Sequence, residues 1–275
     1  MINKMKYIYL VIFVVLISSC RSNKYSHTEK IYKEKSKKFS KLYNEAPVIS
    51  QLNNIKYRNK EWIASINYGV RKPNYVMIHH TAQDSLQQTI NTFHSEKAGV
   101  SSHYIISRDG KIVQMINDLY RAHHAGAGKW GNDTDLNSSS IGIELDNNGT
   151  SDYWPEEQIN SLIKLLDYLK ITYKIPQTNF IGHMDYAPER KNDPSKFPWK
   201  KLAQAGFGHW YDEHLETPPN NFDVQLALRI IGYDVKNINA AIKGFKSHYI
   251  QKNTDTPELN DEELKILYSI FKKYL

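Results

Sequence analysis

The chain has 275 residues, of which 40% are hydrophobic, and it carries a formal net charge of +7. This composition is typical of a globular protein with a buried core. The positive charge is concentrated at the start, since residues 1–41 contain ten basic and two acidic residues, a net charge of +8, and the remainder sums to −1. A nearly neutral folded part argues against a nucleic-acid groove. Because Cys20 is the only cysteine, the sequence excludes an internal disulfide and a thiolate metal site.

Residues 1–19 have the pattern of an export signal peptide. Lys4 and Lys6 form the charged part, residues 7–17 are apolar, and small residues precede Cys20. The apolar stretch is shorter than a helix that spans a bilayer. The ending Ile-Ser-Ser-Cys resembles a bacterial lipobox, which implies that Cys20 is lipidated and becomes the mature N-terminus. The alternative is an ordinary signal peptide with an incidental cysteine.

Residues 20–45 are polar and rich in lysine, and this composition predicts a disordered basic linker. Beside a lipid anchor, such a segment either contacts anionic headgroups or serves only as a soluble spacer. We expect a lipid-anchored protein of the cell envelope, in the outer membrane of a diderm bacterium and facing the periplasm.

The sequence from residue 46 predicts an α/β domain that extends to residue 212, with a sheet covered by helices. Three of its strands end in acidic or metal-binding residue types. The predicted elements, in chain order, are a buried strand at 74–80, a helix through Leu86, Ile90 and Phe93, a hairpin of strands 103–107 and 111–116, a strand at 141–145, a helix from Pro155, and a strand at 180–183.

Turn residues at 217–220 (Thr-Pro-Pro-Asn) separate this domain from a different pattern. Apolar residues recur at helical spacing near 222–231, 238–249 and 261–274. The sequence therefore predicts a small C-terminal three-helix domain over residues 217–275.

The segment 181–194 (IGHMDYAPERKNDP) places a histidine at a strand end and carboxylates on the following loop. With a histidine from a neighbouring strand, such a set can bind a catalytic zinc, which needs three protein ligands and a position for water. The partner is His79 or His80, and periodicity does not decide between them because successive strand side chains point to opposite faces. For any single histidine, the alternative is a hydrogen-bonded structural residue.

Five segments in this order, VMIHHTA, SSHYIISRDGKIVQMI, RAHHAG, SIGIELDNNG and IGHMDYAPERKNDPSKFPW, resemble the zinc amidases that act as N-acetylmuramoyl-L-alanine amidases. That family also includes the peptidoglycan recognition proteins. The resemblance covers roughly residues 60–210 and is greatest to a membrane-lipoprotein branch of broad specificity. It implies a mixed central sheet flanked by helices.

The resemblance also implies roles for individual residues. One zinc ion per catalytic domain is expected on His79, His183 and Asp193. Glu144 takes the position of the catalytic acid/base, which moves a proton from the attacking water to the leaving nitrogen. Lys191 matches a family lysine that can stabilise the oxyanion.

His103 and His124 match family positions that line the substrate cleft, so substrate binding is expected of them. The family usually has an aromatic residue where His123 stands, so the contact with the sugar or the peptide stem is expected to differ at that point. The C-terminal segment, with FDVQLALRIIGYDV and IKGFKSHY, is similar to a small three-helix peptidoglycan-binding domain.

The resulting hypothesis is hydrolysis of the amide bond between the muramic-acid lactyl group and L-alanine, in peptidoglycan or muropeptides. Two alternatives remain open. A non-catalytic protein of this fold would only bind peptidoglycan, although such proteins lose zinc ligands that are present here. A zinc endopeptidase would cut within the stem peptide by the same chemistry.

Overall fold

The computed structural model of the chain describes residues 24–45, 72–252 and 254–275. The chain divides into two compact units, residues 1–68 and 69–275. The predicted signal peptide and the predicted lipidation site Cys20 lie outside the described residues. Within the described residues, no helix combines the length and the apolar composition needed to cross a membrane.

The first unit contains helix α1, Ser26–Glu45. The expectation of a disordered linker is therefore wrong for this range. The helix has no internal glycine or proline and is rich in lysine and glutamate, which are good helix formers. Glu29 and Glu34 each precede a lysine by four residues, a spacing that stabilises a helix. A composition too polar for a core thus still permits a solvated helix.

The second unit is built on one five-stranded sheet, with the strand order β3-β2-β4-β1-β5. Neighbouring strands pair in parallel except for β2 and β3, which form the antiparallel hairpin at one edge. The predicted mixed sheet is thereby confirmed. The strands are β1 (Tyr75–His80), β2 (Tyr104–Ile106), β3 (Ile112–Gln114), β4 (Ser140–Leu145) and β5 (Phe180–Gly182).

The helices of the second unit flank this sheet, as the resemblance implies. They are α2 (Leu86–His94), α3 (Leu136–Ser139), α4 (Glu156–Tyr173), α5 (His183–Tyr186), α6 (Trp199–Gln204), α7 (Val224–Ile231), α8 (Ile238–Phe245) and α9 (Asp261–Lys272). Short 3-10 turns occupy Glu96–Ala98 and Gln177–Asn179, and a π-helical turn, Lys246–Ile250, follows α8 directly.

The two faces of the sheet enter two different cores, because strand side chains alternate between faces. Ile78 and Ile143 lie in the core that contains the buried side of α4, including Leu162. Met77 and Ile181 lie in the core formed with α7, α8 and α9. Each fully buried aliphatic side chain of this kind stabilises the fold by roughly 1.5–3 kcal/mol. His79, two residues after Met77, points to the second face.

The three helices predicted near the C-terminus are present as α7, α8 and α9. They belong to the same compact unit as the sheet, residues 69–275. The division into an α/β domain at 46–212 and a helical domain at 217–275 stays a prediction from the sequence.

Candidate active site

The site forms at the carboxyl ends of the parallel strands, where ligands commonly bind in open α/β sheets. His79 near the end of β1 and Glu144 near the end of β4 are direct neighbours in the register of the two strands. His183 is the first residue of α5, immediately after β5. The loop after α5 returns to it, since the backbone N–H of Met184 donates to the carbonyl of Asp193 at 2.9 Å.

These connections bring the two histidines and the aspartate predicted as metal ligands together. Nδ1 of His79 and Nδ1 of His183 lie 3.0 and 3.1 Å from the same oxygen of Asp193, Oδ2. One possible ligand atom from each of the three residues falls within 4.8 Å of the others, and all three side chains are buried. His80 points to the other face, where Nδ1 accepts a hydrogen bond from the backbone of Ser195 at 3.2 Å.

The charge states of the group suit a metal. Burial and the neighbouring His183 lower the pKa of His79 to about 4, so its imidazole is neutral at pH 7. Burial alone would raise the pKa of Asp193, but hydrogen bonds to His183 and His79 hold that pKa well below its usual range. Neutral imidazole and carboxylate are the ligand forms that bind metal. Two nitrogens and one carboxylate oxygen fit a zinc ion with one position left open.

The outer nitrogens of both histidines are held by one loop. Nε2 of His79 lies 3.1 Å from Nδ1 of His124, and Nε2 of His183 lies 2.8 Å from the carbonyl of Ala125. The backbone N–H groups of His124 and Ala125 both donate to Oδ1 of Asn137, at 2.9 and 2.8 Å. Such outer contacts fix the tautomer and orientation of ligating histidines.

Glu144 presents a carboxylate beside this group. Its Oε2 atom is buried and has no hydrogen-bond partner among the described residues. Burial and the charge of Asp193 raise the pKa of Glu144 to about 8, although the positive charge of Lys191 acts in the opposite direction. A buried, unpartnered carboxyl with a raised pKa is characteristic of a catalytic acid or base.

Lys191 is half-buried, and its charge also acts on His79, so it lies within electrostatic range of the site. The preceding residue, Arg190, supports the loop that carries Ala125, because its Nε donates to the carbonyl of Ala127 at 2.8 Å. Arg190 therefore stabilises the surroundings of the site, whereas the side chain of Lys191 adds positive charge to it.

The contacts of His103 do not support the substrate contact expected of it. The ring is fully buried, with Nε2 2.9 Å from the carbonyl of Tyr120, and Nδ1 accepts from the backbone of Gly142 at 3.0 Å. Both nitrogens are thus engaged by the backbone. His124, by contrast, contacts His79 directly, while its neighbour His123 is exposed.

Two residues of the site were not predicted. Asn137 orders the loop through its amide oxygen, and Gly142 makes room for a ring, because a Cβ atom there would lie 2.4 Å from His124. Neither has a signal in a single sequence, since asparagine is common in turns of every kind and glycine occurs wherever the backbone bends or needs space.

Comparisons with known proteins agree with this geometry. A family model described as N-acetylmuramoyl-L-alanine amidase matches residues 69–196. The N-acetylmuramoyl-L-alanine amidase AmiD of Escherichia coli K12 is 32% identical over 231 residues, which cover 72% of this chain and 82% of AmiD.

Two solved structures resemble the fold. One is the complex of AmiD from E. coli with the substrate anhydro-N-acetylmuramic acid-L-Ala-D-gamma-Glu-L-Lys, with a TM-score of 0.63 and 30% identity over 78% of this chain and 93% of that chain. The other is AmpDh3 from Pseudomonas aeruginosa with anhydromuramic pentapeptide, with a TM-score of 0.66 and 28% identity over 80% of this chain and 99% of that chain.

The fold and the site together define a hydrolase with a candidate metal centre at the carboxyl edge of a mixed α/β sheet. The chain belongs to the N-acetylmuramoyl-L-alanine amidase family. The family, the fold class and the amidase activity expected from the sequence are thereby confirmed.

Proposed function

We propose that this chain is a zinc-dependent N-acetylmuramoyl-L-alanine amidase, with one zinc ion held by His79, His183 and Asp193. The supporting observation is the meeting of these three buried ligands within 4.8 Å. Glu144 lies on the neighbouring strand, next to His79 in the register, and its Oε2 atom has no hydrogen-bond partner among the described residues. A bound zinc would supply a Lewis acid that lowers the pKa of a water molecule and polarises the substrate carbonyl.

The residues around the ligands carry the proton and the charge. Glu144 accepts the proton of the attacking water and delivers it to the leaving nitrogen, which is general acid/base catalysis by one carboxyl group. Burial raises the pKa of Glu144 and so strengthens its affinity for a proton, whereas the positive charge of a bound zinc ion would favour the ionised form that acts as the base. Lys191 stabilises the negative charge that develops on the carbonyl oxygen.

The bond that we propose is cut links the muramic-acid lactyl group to L-alanine, in peptidoglycan or in muropeptides. The AmiD complex contains a muramic acid whose attached peptide begins with L-alanine, and the AmpDh3 complex contains an anhydromuramic pentapeptide. The similarity of this chain to both proteins supports the same class of substrate here.

We also propose that the enzyme is a lipoprotein of the outer membrane, anchored through Cys20 and facing the periplasm. The supporting features are the signal pattern of residues 1–19, the Ile-Ser-Ser-Cys sequence and the basic segment that follows it. The C-terminal helices α7, α8 and α9 are proposed to contact peptidoglycan, in keeping with the resemblance of their sequence.

Mass spectrometry of purified peptidoglycan treated with the chain from Arg21 onward tests the activity. We expect zinc-dependent release of stem peptides that begin with a free L-alanine amino group. A chelator and the Glu144→Gln substitution should both abolish this release. Peptides that begin at another residue would identify an endopeptidase instead. Binding to the wall without any release would identify a recognition protein and overturn the catalytic roles.

A further inference from the structure

A buried carboxylate lies two residues after the proposed ligand His183. Asp185 is fully buried, and its two oxygens are the acceptors of three hydrogen bonds. Oδ2 accepts from the backbone N–H of Gly182 at 2.7 Å and from Nδ1 of His248 at 2.8 Å. Oδ1 accepts from the hydroxyl of Tyr233 at 2.8 Å. The bond from Gly182 closes the turn between β5 and α5, where His183 is the first helical residue.

Two of these donors come from the C-terminal helical segment. Tyr233 follows the end of α7, and His248 lies in the π-helical turn after α8. Both side chains are buried, at 2% and 4% exposure. The ring of His248 is stacked on Trp199 with centroids 4.0 Å apart, and the ring of Tyr233 meets Trp130 edge-on at 4.9 Å. Because packing fixes both rings, the two donors have defined positions.

The hydrogen bonds from Tyr233 and His248 to Asp185 matter for the metal site, because a buried carboxylate is unfavourable unless donors surround it. Without Tyr233 and His248, Asp185 would keep only the bond from Gly182 and would turn towards water. The turn that places His183 would then lose its anchor. Metal ligands must stay within about 0.5 Å of their productive positions, so a loosened turn weakens binding even if the fold survives.

We propose that Tyr233 and His248 are positioning residues of the metal centre, which act through Asp185 on the turn that carries His183. The C-terminal helical segment is then part of the scaffold of the active site, whether or not it also binds the cell wall. This inference rests on the proposed role of His183 as a zinc ligand.

Zinc affinity and local amide exchange test the proposal without relying on catalysis. The dissociation constant for zinc is measured by competition with a chromophoric chelator, using the chain from Arg21 onward. Tyr233→Phe removes one oxygen atom, and His248→Leu removes the donor of the second bond. We expect each to raise the dissociation constant about fivefold, which is less than the roughly 10–100-fold cost of losing a group that bonds a metal ligand directly. Amide hydrogen exchange of residues 180–187 should become faster in the zinc-free variants.

Two controls separate positioning from general stability. His248→Asn keeps a donor close to the position of Nδ1 and should retain most of the affinity. Tyr249→Phe removes a buried hydroxyl of the same segment that is hydrogen-bonded to Tyr274, and should leave the affinity within about twofold of the wild type. Circular dichroism confirms that each variant is folded, and Tyr233→Phe decides the question if His248→Leu does not fold.

The outcomes distinguish this inference from the proposed zinc site. If the wild type binds zinc and His183→Ala does not, while Tyr233→Phe retains wild-type affinity and exchange, positioning by the C-terminal segment is refuted. If the wild type binds no zinc, or His183→Ala binds it as tightly, the ligand assignment is wrong and this inference is refuted with it.

Discussion

At the scale of single residues, Glu144 shows the tension between stability and catalysis. Its Oε2 atom is buried without a hydrogen-bond partner among the described residues. A buried polar atom without a partner destabilises the folded state, typically by about 1–3 kcal/mol and by more when charged. The same lack of a partner leaves the atom available to a reacting water molecule. The cost in stability is therefore located where the proposed proton transfer takes place.

The substitution Glu144→Gln should stabilise the zinc-free protein at high pH. The folded-state pKa of Glu144, about 8, lies above its ordinary value of 4.5. The folded state therefore binds the proton more tightly, and the wild type loses stability as pH rises from 4.5 towards 8. Glutamine cannot ionise, so at about pH 9 the variant should be more stable by a few kcal/mol, and at about pH 4 equally stable. Urea unfolding of the chelator-treated proteins at both pH values measures this difference in the free energy of unfolding.

Glu157→Gln, at an exposed position of α4, is the matched control and should leave the pH dependence unchanged. Parallel stability curves for the wild type and Glu144→Gln between about pH 4 and pH 9 would contradict the raised pKa.

His124 offers a second test at this scale, because two roles for it predict different results. Nδ1 of His124 lies 3.1 Å from Nε2 of the proposed ligand His79. We expect His124→Ala to weaken zinc binding about 10–100-fold, as loss of an outer hydrogen bond does in other metal sites. Substrate binding, the role expected from the sequence, would instead raise KM and leave zinc affinity unchanged. The zinc affinity from chelator competition and the KM from steady-state kinetics distinguish these two roles. His123→Ala, at an exposed position, is the control.

At the scale of elements, apolar patterns predicted much of the fold. The apolar run before His79 gave β1, the helical repeat after Pro155 gave α4, and the three C-terminal patterns gave α7, α8 and α9. The helix α1 was missed because a polar sequence without a core was equated with disorder. Helix formation there depends on backbone propensity and charge spacing, which do not require burial.

The candidate site was predictable only in part. The segment 181–194 indicated a histidine and a loop carboxylate as candidate ligands, and the resemblance selected Asp193 among the carboxylates and His79 over His80. The alternation of side chains along a strand predicts only that His79 and His80 point to opposite faces. It does not predict which face holds the site. The buried contacts of His103 depend on the loops around it, and no local pattern encodes them.

A glycine in strand β4 provides a prediction at this scale. A Cβ atom on Gly142 would lie 2.4 Å from the ring of His124, so Gly142→Ala should displace that ring. We expect a loss of about 1–3 kcal/mol in the free energy of unfolding and weaker zinc binding. In a His124→Ala background the same substitution should be nearly neutral, because the clash is gone. A double-mutant cycle by urea unfolding measures the coupling, and additive effects would contradict the contact.

At the scale of the whole molecule, the second compact unit joins the sheet and the C-terminal helices through one apolar core. Met77 of β1 and Ile181 of β5 belong to the same buried cluster as Leu228 of α7 and Leu267 of α9. The polar contacts around Asp185 add to this interface. Separation of the two parts would expose the apolar face of the sheet to water.

We therefore expect the chain shortened to residues 69–275 to unfold in one cooperative transition. A shared core couples the loss of the helices to the loss of the sheet, so calorimetric and van't Hoff enthalpies should agree. Differential scanning calorimetry of the zinc-free protein measures this. Two separate transitions, with the helices melting first, would show that residues 217–275 are an autonomous domain.

The shared acceptor on Asn137 has a consequence for engineering. One amide oxygen fixes the backbone of both His124 and Ala125, and these two residues contact the outer nitrogens of His79 and His183. The two imidazoles are consequently oriented by a common reference point. A designer who wishes to graft the proposed centre onto another scaffold would have to transfer the loop and its asparagine with the proposed ligands, because copying His79, His183 and Asp193 alone would leave the outer nitrogens of both rings without these contacts.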